Sequence, residues 1–291
     1  MGPTAVGKTS LGIELARYFD TEIISADSRQ CYRELNIGVA KPSPEQLAAV
    51  HHYFIDSHSI HEEVNAAVFE QYALNAVAKI FTQHDYALVV GGTGLYIKAL
   101  TEGMDAIPLI PANVREDIIR EYEQQGLQWL QDIIRQEDPG FYHAGEIQNP
   151  QRLMRALEVK RFTGESILSF RTNKKTKRDF RIIKVGMNLP REQLYQRIHS
   201  RVDDMINSGL LEEARALLPF QHLNALQTVG YQELFQFFQN SISLGDAINE
   251  IKKNTRHYAK RQLTWFARDK DIHWMQNPTV NDASDFIQKL S

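Results

Sequence analysis

The chain opens on a glycine-rich segment that ends in lysine and threonine, Gly2-Pro3-Thr4-Ala5-Val6-Gly7-Lys8-Thr9. In such a loop the glycines let backbone N–H groups point inward around phosphate oxygens, and the helix that follows adds the positive end of its dipole. The lysine reaches the outer phosphates, and the threonine hydroxyl can ligate Mg²⁺. The segment therefore predicts a site for a diphosphate or triphosphate group, without identifying the compound that carries it.

Two further polar segments follow predicted strands. Asp27 ends a short β-prone run at 22–28, and Gly91–Gly94 follow a second run at 86–90. Open α/β sheets bind ligands at the carboxyl ends of their strands, so both segments are candidates for the same site. Asp27 could hold Mg²⁺ or act as a base. A solvated turn aspartate and a purely structural glycine turn are the alternatives.

The order of these elements predicts an α/β fold. Helices are expected at 9–19 and from 95 onward, so strand, glycine turn and helix recur, which is typical of a parallel sheet with helical crossovers. We expect a P-loop NTPase-like parallel sheet flanked by helices, formed by residues 1–108 and 180–291. Residues 109–179 read as a helical insertion domain, with a helix that starts at Asn149-Pro150 and stops at Gly164.

The position of the phosphate loop is unusual, because only Met1 precedes Gly2. A phosphate loop normally follows a central β-strand. We therefore expect the first β-strand to be missing from the chain, and a reading frame extended upstream to encode about ten apolar, β-prone residues.

Composition limits the class of protein. Among 291 residues, 43% are apolar and 24% charged, close to the average of soluble globular proteins. The one cysteine, Cys31, excludes an internal disulfide framework and fits a cytoplasmic protein. No run is long and apolar enough to span a membrane. Because the net charge is −3, any RNA site must come from local clusters of basic residues.

An ordered series of motifs covers essentially the whole chain, and together they resemble the tRNA dimethylallyltransferases (isopentenyltransferases). The glycine–alanine–lysine–proline and arginine–glutamine–threonine–tryptophan segments are the most specific of them. The motifs are Gly2–Thr9, Ile24–Ser28, Gly38–Pro42, Gly91–Tyr96, Pro150–Glu158, Val229–Tyr231 and Lys260–Phe266.

The resemblance implies transfer of a dimethylallyl group from dimethylallyl diphosphate to N6 of the adenosine immediately 3′ of the anticodon in tRNA, with release of diphosphate. Gly2–Thr9 would hold the diphosphate, with Thr9 also contacting Mg²⁺. Asp27 matches the family's base, and Arg201 matches its diphosphate-binding arginine. Asp27, Thr9 and Arg201 are thus the expected catalytic residues.

The resemblance also implies contacts with the tRNA anticodon stem-loop, partly through the helical insertion domain, and extrusion of the target base into a pocket. We expect the protein to act as a monomer. The matching RNA-contacting residues are Asp27, Ser28, Arg29, Gln30, Thr93, Arg115, Gln151, Arg152, Leu153, Met154 and Arg155.

Two other functions share the phosphate loop. A P-loop small-molecule or nucleotide kinase would use ATP as donor, and an RNA-binding protein could use a bound nucleotide only as a switch. The kinase gives no reason for a basic cluster late in the chain, which reads as a phosphate-binding surface or a solvated helix face. That cluster comprises Lys252, Lys253, Arg256, His257, Lys260, Arg261 and Arg268.

Overall fold

The computed structural model describes residues 1–172 and 174–291, and the chain divides into two compact units. The first unit joins Met1–Gly103 to Lys177–Ser291, and the second comprises Met104–Thr176. The bounds of 109–179 expected from the sequence differ from those of the second unit by a few residues at each end.

The strands of the first unit form two parallel sheets. β1 (Ile23–Ala26) lies between β2 (His52–Tyr53) and β3 (Leu88–Gly91), and β4 (Val185–Asn188) pairs with β5 (His273–Gln276). The predicted α/β class with a parallel sheet is confirmed. In the larger sheet the register pairs the last residue of β1 with the last of β3, so the two chain segments that follow emerge side by side.

Helices surround both sheets, and they are numbered in chain order over the two units. The predicted helix after the phosphate loop and the predicted helix after the Gly91–Gly94 turn are both present. The helices of the first unit are α1 (Lys8–Tyr18), α2 (Pro44–Ala49), α3 (Ala66–Ile80), α4 (Gly94–Glu102), α9 (Arg191–Asn207), α10 (Leu210–Leu217), α11 (Tyr231–Phe238), α12 (Leu244–Phe266) and α13 (Val280–Leu290).

The main core of the first unit lies between the larger sheet and helices α3 and α4. Ile24 of β1, Phe54 and Phe69 are fully buried there. The ring of Phe69 stacks on Tyr96 with centroids 4.5 Å apart and planes inclined by 12°. Burial of large aromatic side chains contributes much of the stability of such a core, and it fixes the strand ends that border the site.

The first residue pairs with β4. The amino group of Met1 donates to the Val185 carbonyl at 2.7 Å, and the Met187 N–H donates to the Met1 carbonyl at 2.8 Å. Gly2 follows with φ 148°, and a Cβ there would lie 2.5 Å from the Met187 carbonyl oxygen. The backbone next to the phosphate loop is therefore anchored to β4 so closely that only glycine fits.

In its described residues, the second unit contains four helices. They are α5 (Ala112–Glu137), α6 (Pro139–Ala144), α7 (Pro150–Thr163) and α8 (Ile167–Phe170). The side chain of Asn149 accepts a hydrogen bond from the Arg152 N–H, and Gly164 ends α7 with φ 77°, so the predicted start and stop of this helix are confirmed. α5 breaks at Gly126, where φ is 78° and ψ is −170°.

The bounds of β4 differ from those that local composition alone indicates. The run at 181–186 is β-prone, but β4 comprises Val185–Asn188, because β5 pairs with those four residues. Its neighbour Lys184 is held by a side-chain bond of 2.6 Å to Asp269. Pairing with a distant segment, not local propensity, decides where a strand begins. Within the described ranges, no helix is long and apolar enough to cross a membrane.

Candidate active site

A polar cavity of about 270 Å³ lies in the first unit at the carboxyl ends of β1 and β3. The phosphate loop forms one wall, the segment after β1 another, and α9 and α12 contribute side chains. Its lining includes Thr4, Ala5, Gly7, Lys8, Thr9, Asp27, Gln30, Val39, Ala40, Lys41, Pro42, Arg201, Tyr258 and Gln262.

The phosphate loop has the shape that its glycines predict. Ala5 and Gly7 have positive φ values of 64° and 104°, and Gly7 is the residue directly before α1. The Lys8 ammonium bonds to the Pro3 carbonyl at 2.6 Å. Burial lowers the pKa of Lys8 to about 8; the Asp27 carboxylate opposes this shift and the Arg201 guanidinium adds to it. A dianionic ligand in the cavity would raise the pKa of Lys8 again, because a nearby negative charge favours the ammonium.

Two arginines of α9 stand one turn apart and have different contacts. Arg197 donates to the Val6 carbonyl of the phosphate loop at 3.2 Å, so it is bound to the loop backbone. Arg201 lines the cavity itself, and burial lowers the pKa of its guanidinium. A guanidinium can bind two phosphate oxygens at once. The geometry therefore makes Arg201, and not Arg197, the arginine available to an anion in the cavity.

Asp27 uses one carboxylate oxygen to close a turn. Its Oδ1 accepts from the backbone N–H groups of Arg29 at 2.9 Å and Gln30 at 3.4 Å. Among the described residues, Oδ2 has no hydrogen-bond partner, and the residue is half-exposed to the cavity. The turn thus fixes the orientation of the carboxylate and leaves one oxygen available for a substrate.

The segment that carries Asp27 is joined to the turn after β3. The Ser28 N–H donates to the Thr93 hydroxyl at 3.0 Å, and the Thr93 N–H donates to the Ala26 carbonyl at 3.1 Å. Tyr258 of α12 lies beside the Thr93 side chain, and burial raises the pKa of its phenol. Thr93 is therefore the point where three parts of the site meet.

The loop at 36–42 forms the cavity wall opposite the phosphate loop. Glu213 of α10 accepts from the N–H groups of Ile37 and Gly38, each at 2.9 Å, and from the Tyr231 hydroxyl at 2.6 Å. A Cβ on Gly38 would lie 2.6 Å from the Tyr231 ring. This contact explains why two motifs so distant in the chain occur together. Glu213 itself has no signal in the sequence.

The glycine turn packs just as closely on α12. A Cβ on Gly94 would lie 2.2 Å from the ring of Trp265, and one on Gly91 would lie 2.2 Å from the Ala26 carbonyl. Both glycines are needed because a helix and a strand approach the turn without space for a side chain.

Two of the residues expected to contact RNA, Gln30 and Arg29, also make contacts within the first unit. Gln30 donates to the Val39 and Ala40 carbonyls at 3.3 and 3.0 Å and accepts from the Ser25 hydroxyl at 3.1 Å. Arg29 lies close to the Tyr32 phenol, whose pKa is raised by burial. Gln30 therefore supports the cavity wall that it lines together with Asp27, whereas Ser28 and Arg29 lie beside the cavity lining.

In the second unit, the expected RNA-contacting residues have three different environments. Arg155 pairs with the buried Glu158 at 2.9 Å, and Arg115 lies 3.6 Å from the same carboxylate. Leu153 and Met154 are 0% and 4% exposed, so their side chains belong to the core of this unit, and their contact with RNA stays a prediction. Gln151 and Arg152 are exposed, and Arg152 pairs with Glu146.

The basic cluster of α12 is partly neutralised. Lys252 pairs with Asp203 at 2.6 Å, and Lys253 pairs with Glu250 at 3.0 Å. His257 and Lys260 are exposed. The side chain of Arg178, which precedes β4, is 9% exposed and bonds Glu70 of α3 and the Leu100 carbonyl of α4. That arginine therefore stabilises the fold and is not available to a phosphate.

A divalent cation fits the donors of the cavity only together with a ligand. In the described part of the chain, no group of three or more histidine, cysteine, aspartate or glutamate side chains could hold a metal. The Thr9 hydroxyl and the Asp27 carboxylate nevertheless line the same cavity. Mg²⁺ usually keeps several waters and binds through one or two carboxylates and substrate phosphates. Cys31 is buried, and burial raises the pKa of its thiol to about 12, which excludes a thiolate nucleophile.

Comparisons with known proteins show the family of the chain. A family model described as IPP transferase matches residues 30–269. The chain is 49% identical to the tRNA dimethylallyltransferase of Christiangramia forsetii over 289 residues. This alignment covers 99% of this chain and 96% of the relative. The chain belongs to the tRNA dimethylallyltransferase family. That of Cytophaga hutchinsonii is 45% identical, with 99% of this chain and 95% of the relative covered.

Solved structures extend the likeness to three dimensions. The full-length tRNA isopentenylpyrophosphate transferase of Bacillus halodurans is 32% identical with a TM-score of 0.73, covering 99% of this chain and 94% of that chain. A eukaryotic dimethylallyltransferase acting on tRNA is 26% identical with a TM-score of 0.80, covering 99% and 78%. The predicted P-loop NTPase-like fold is confirmed by this likeness. As a member of the tRNA dimethylallyltransferase family, the chain is a prenyltransferase.

Proposed function

We propose that the protein transfers the dimethylallyl group of dimethylallyl diphosphate to N6 of the adenosine immediately 3′ of the anticodon in tRNA, releasing diphosphate. The observation that carries the proposal is one cavity lined by a phosphate loop, a half-buried arginine and an aspartate with an available oxygen. The family and its relatives that act on tRNA support this reaction and not the kinase alternative.

The proposed chemistry divides between two sides of the cavity. On one side Lys8, Arg201 and the N–H groups of the phosphate loop bind the diphosphate, and they stabilise the charge that grows when the bond from its oxygen to the prenyl carbon breaks. On the other side N6 of adenosine forms the new bond to that carbon. The freed N6 proton passes to the available Oδ2 of Asp27.

Mg²⁺ is the cofactor that this site suits. Thr9 is the residue that would hold it, together with oxygens of the diphosphate, because the available oxygen of Asp27 takes the proton. When bound, the ion would supply further positive charge to the leaving diphosphate.

Both units offer candidate contacts for the anticodon stem-loop. In the first unit these are Asp27, Ser28, Thr93 and the exposed part of the α12 cluster, and in the second they are Arg115, Gln151, Arg152 and Arg155. Arginine and lysine side chains bind RNA phosphates, whereas short polar side chains suit the edges of an extruded base. A monomeric state and a cytoplasmic location remain predictions from the sequence.

A transfer assay tests the proposal. The protein is incubated with tRNA that lacks the modification, Mg²⁺ and dimethylallyl diphosphate labelled in the prenyl group. We expect label in the tRNA, and an activity at least about a hundredfold lower in Asp27→Asn, which keeps the shape of the side chain but cannot accept a proton. Asp285→Asn changes an exposed aspartate of α13 and serves as the matched control. Consumption of ATP without any transfer of label would instead support a kinase.

A further inference from the structure

Gln262 of α12 is 6% exposed and contacts both glycine-rich segments of the site. Its Oε1 accepts from the Thr4 N–H at 2.8 Å, and its Nε2 donates to the Gly92 carbonyl at 2.9 Å. The Thr4 N–H can only donate and the Gly92 carbonyl can only accept. One orientation of the amide therefore satisfies both, and among side chains of this length only a glutamate that has become protonated could replace it.

Each of these bonds holds a peptide group whose other end makes a hydrogen bond to a second part of the site. The Thr4 N–H belongs to the same peptide as the Pro3 carbonyl, and that carbonyl accepts from the Lys8 ammonium at 2.6 Å. Because a peptide is planar, fixing its N–H also fixes its carbonyl. Gln262 thus orients the group that holds Lys8.

The second bond acts in the same way on the turn after β3. The Gly92 carbonyl and the Thr93 N–H belong to one peptide, and that N–H donates to the Ala26 carbonyl at 3.1 Å, directly before Asp27. A Cβ on Gly92 would lie 2.3 Å from Nε2 of Gln262. The turn is therefore in close contact with this amide. The peptide between Gly92 and Thr93 connects it to the segment that carries Asp27.

We propose that Gln262 is a positioning residue for prenyl transfer, which sets the phosphate loop and Lys8 at a fixed distance from Thr93 and Asp27. It touches none of the reacting atoms and acts through two peptide planes. This inference rests on the proposed function, because its consequence is the alignment of the leaving diphosphate with the base. Placing the reacting groups to within less than an ångström is a recognised contribution to the rate of an enzymatic reaction.

The test compares Gln262→Met and Gln262→Glu with the natural chain. Methionine has nearly the same length but neither hydrogen bond, so we expect the KM for dimethylallyl diphosphate and the Kd for inorganic diphosphate to rise about tenfold, with kcat also lower. The KM for tRNA should change by less than about twofold. Gln288→Met on the exposed face of α13 is the matched control.

Gln262→Glu supplies a readout that a purely structural residue would not give. An ionised glutamate accepts from Thr4 but cannot donate to Gly92, whereas a protonated one can do both. Activity of this variant relative to the natural chain should therefore rise as the pH is lowered from about 8 to about 6. The same ratio for Gln288→Glu should stay constant.

Two outcomes would overturn the inference. One is a Gln262→Met protein whose thermal midpoint falls while its Kd for diphosphate equals that of the natural chain. The other is a Gln262→Glu ratio that does not vary with pH, which also decides the matter if Gln262→Met does not fold. Should the natural chain transfer no prenyl group, the proposed function fails, and the Kd for inorganic diphosphate still tests Gln262 by itself.

Discussion

The Ser28 N–H donates a hydrogen bond of 3.0 Å to the Thr93 hydroxyl, and this bond joins the segment after β1 to the turn after β3. Asp27 lies on the first of these segments, one residue before Ser28. The position of the proposed base thus depends on a side chain that lies 65 residues beyond Ser28 in sequence. Parallel pairing of β1 with β3 brings the two strand ends together and makes the bond possible.

Replacing Thr93 by valine keeps the volume of the side chain and removes the acceptor. The Ser28 N–H then has no partner at the rim of the cavity, and an unpaired donor of this kind costs about 1–3 kcal/mol. We expect kcat for prenyl transfer to fall at least about tenfold, because the Asp27 turn loses its fixed position. Steady-state kinetics with saturating tRNA measure this. Thr264→Val, at an exposed site of α12, should leave kcat unchanged.

The protonation of Lys8 gives the site a pH dependence. Its pKa is lowered to about 8, so the free protein carries the ammonium below that pH and progressively loses it above. Diphosphate binds the protonated form, and its affinity should therefore fall as the pH rises through about 8. Calorimetric titration with inorganic diphosphate between about pH 7 and about pH 9 tests this.

Lys8→Arg separates this effect from the titration of the ligand. Arginine stays charged over the whole range, so the ratio of the two affinities should change with pH only through Lys8. A ratio that is constant from about pH 7 to about pH 9 would show that Lys8 does not titrate there.

The two arginines of α9 form a matched pair for mutation. Arg201→Met removes a charge from the cavity, and we expect the Kd for diphosphate to rise by at least about tenfold, the loss typical of a buried charge-assisted bond. Arg197→Met removes a bond to the Val6 carbonyl, so we expect a lower thermal midpoint and a smaller change in Kd. Equal effects of both substitutions on the Kd would contradict the distinct contacts of these residues.

The carboxylate of Glu213 supports the cavity wall at 36–42. Glu213→Gln replaces one acceptor oxygen by a donor beside backbone N–H groups, and we expect the free energy of unfolding to fall by about 1–3 kcal/mol. Urea denaturation followed by circular dichroism measures it. Glu212→Gln alters the exposed neighbour in α10 and should have no such effect. A similar loss in both variants would mean that helix charge, and not the anchor, is responsible.

Local patterns in the sequence predict several elements well. The cap residue Asn149 and the stop at Gly164 define α7, because both act within one turn of the helix. The strands at β1 and β3 follow from short β-prone runs that end in polar or glycine residues. The late strand β5 and the helix α3 were not singled out by these patterns, since pairing and packing with distant segments decide them.

The candidate site shows the same division. The phosphate loop, Asp27 and the order of the motifs are visible in the chain, and they establish the class of ligand and the family. Arg197 and Arg201 have identical side chains one turn apart, so helix periodicity does not separate them, and in the sequence only the resemblance to the family selects Arg201. The packing of α9 on the phosphate loop decides it.

By itself the sequence therefore determined the phosphate-binding loop and the strand-end aspartate, because glycine spacing and residue type act locally. Only the tertiary structure decided that Gln262 and Glu213 hold the two walls of the cavity. Their tasks depend on hydrogen bonds to backbone groups, which every residue carries and which no residue pattern marks. Those bonds form only after helices α10 and α12 have packed against loops that lie far away in the chain.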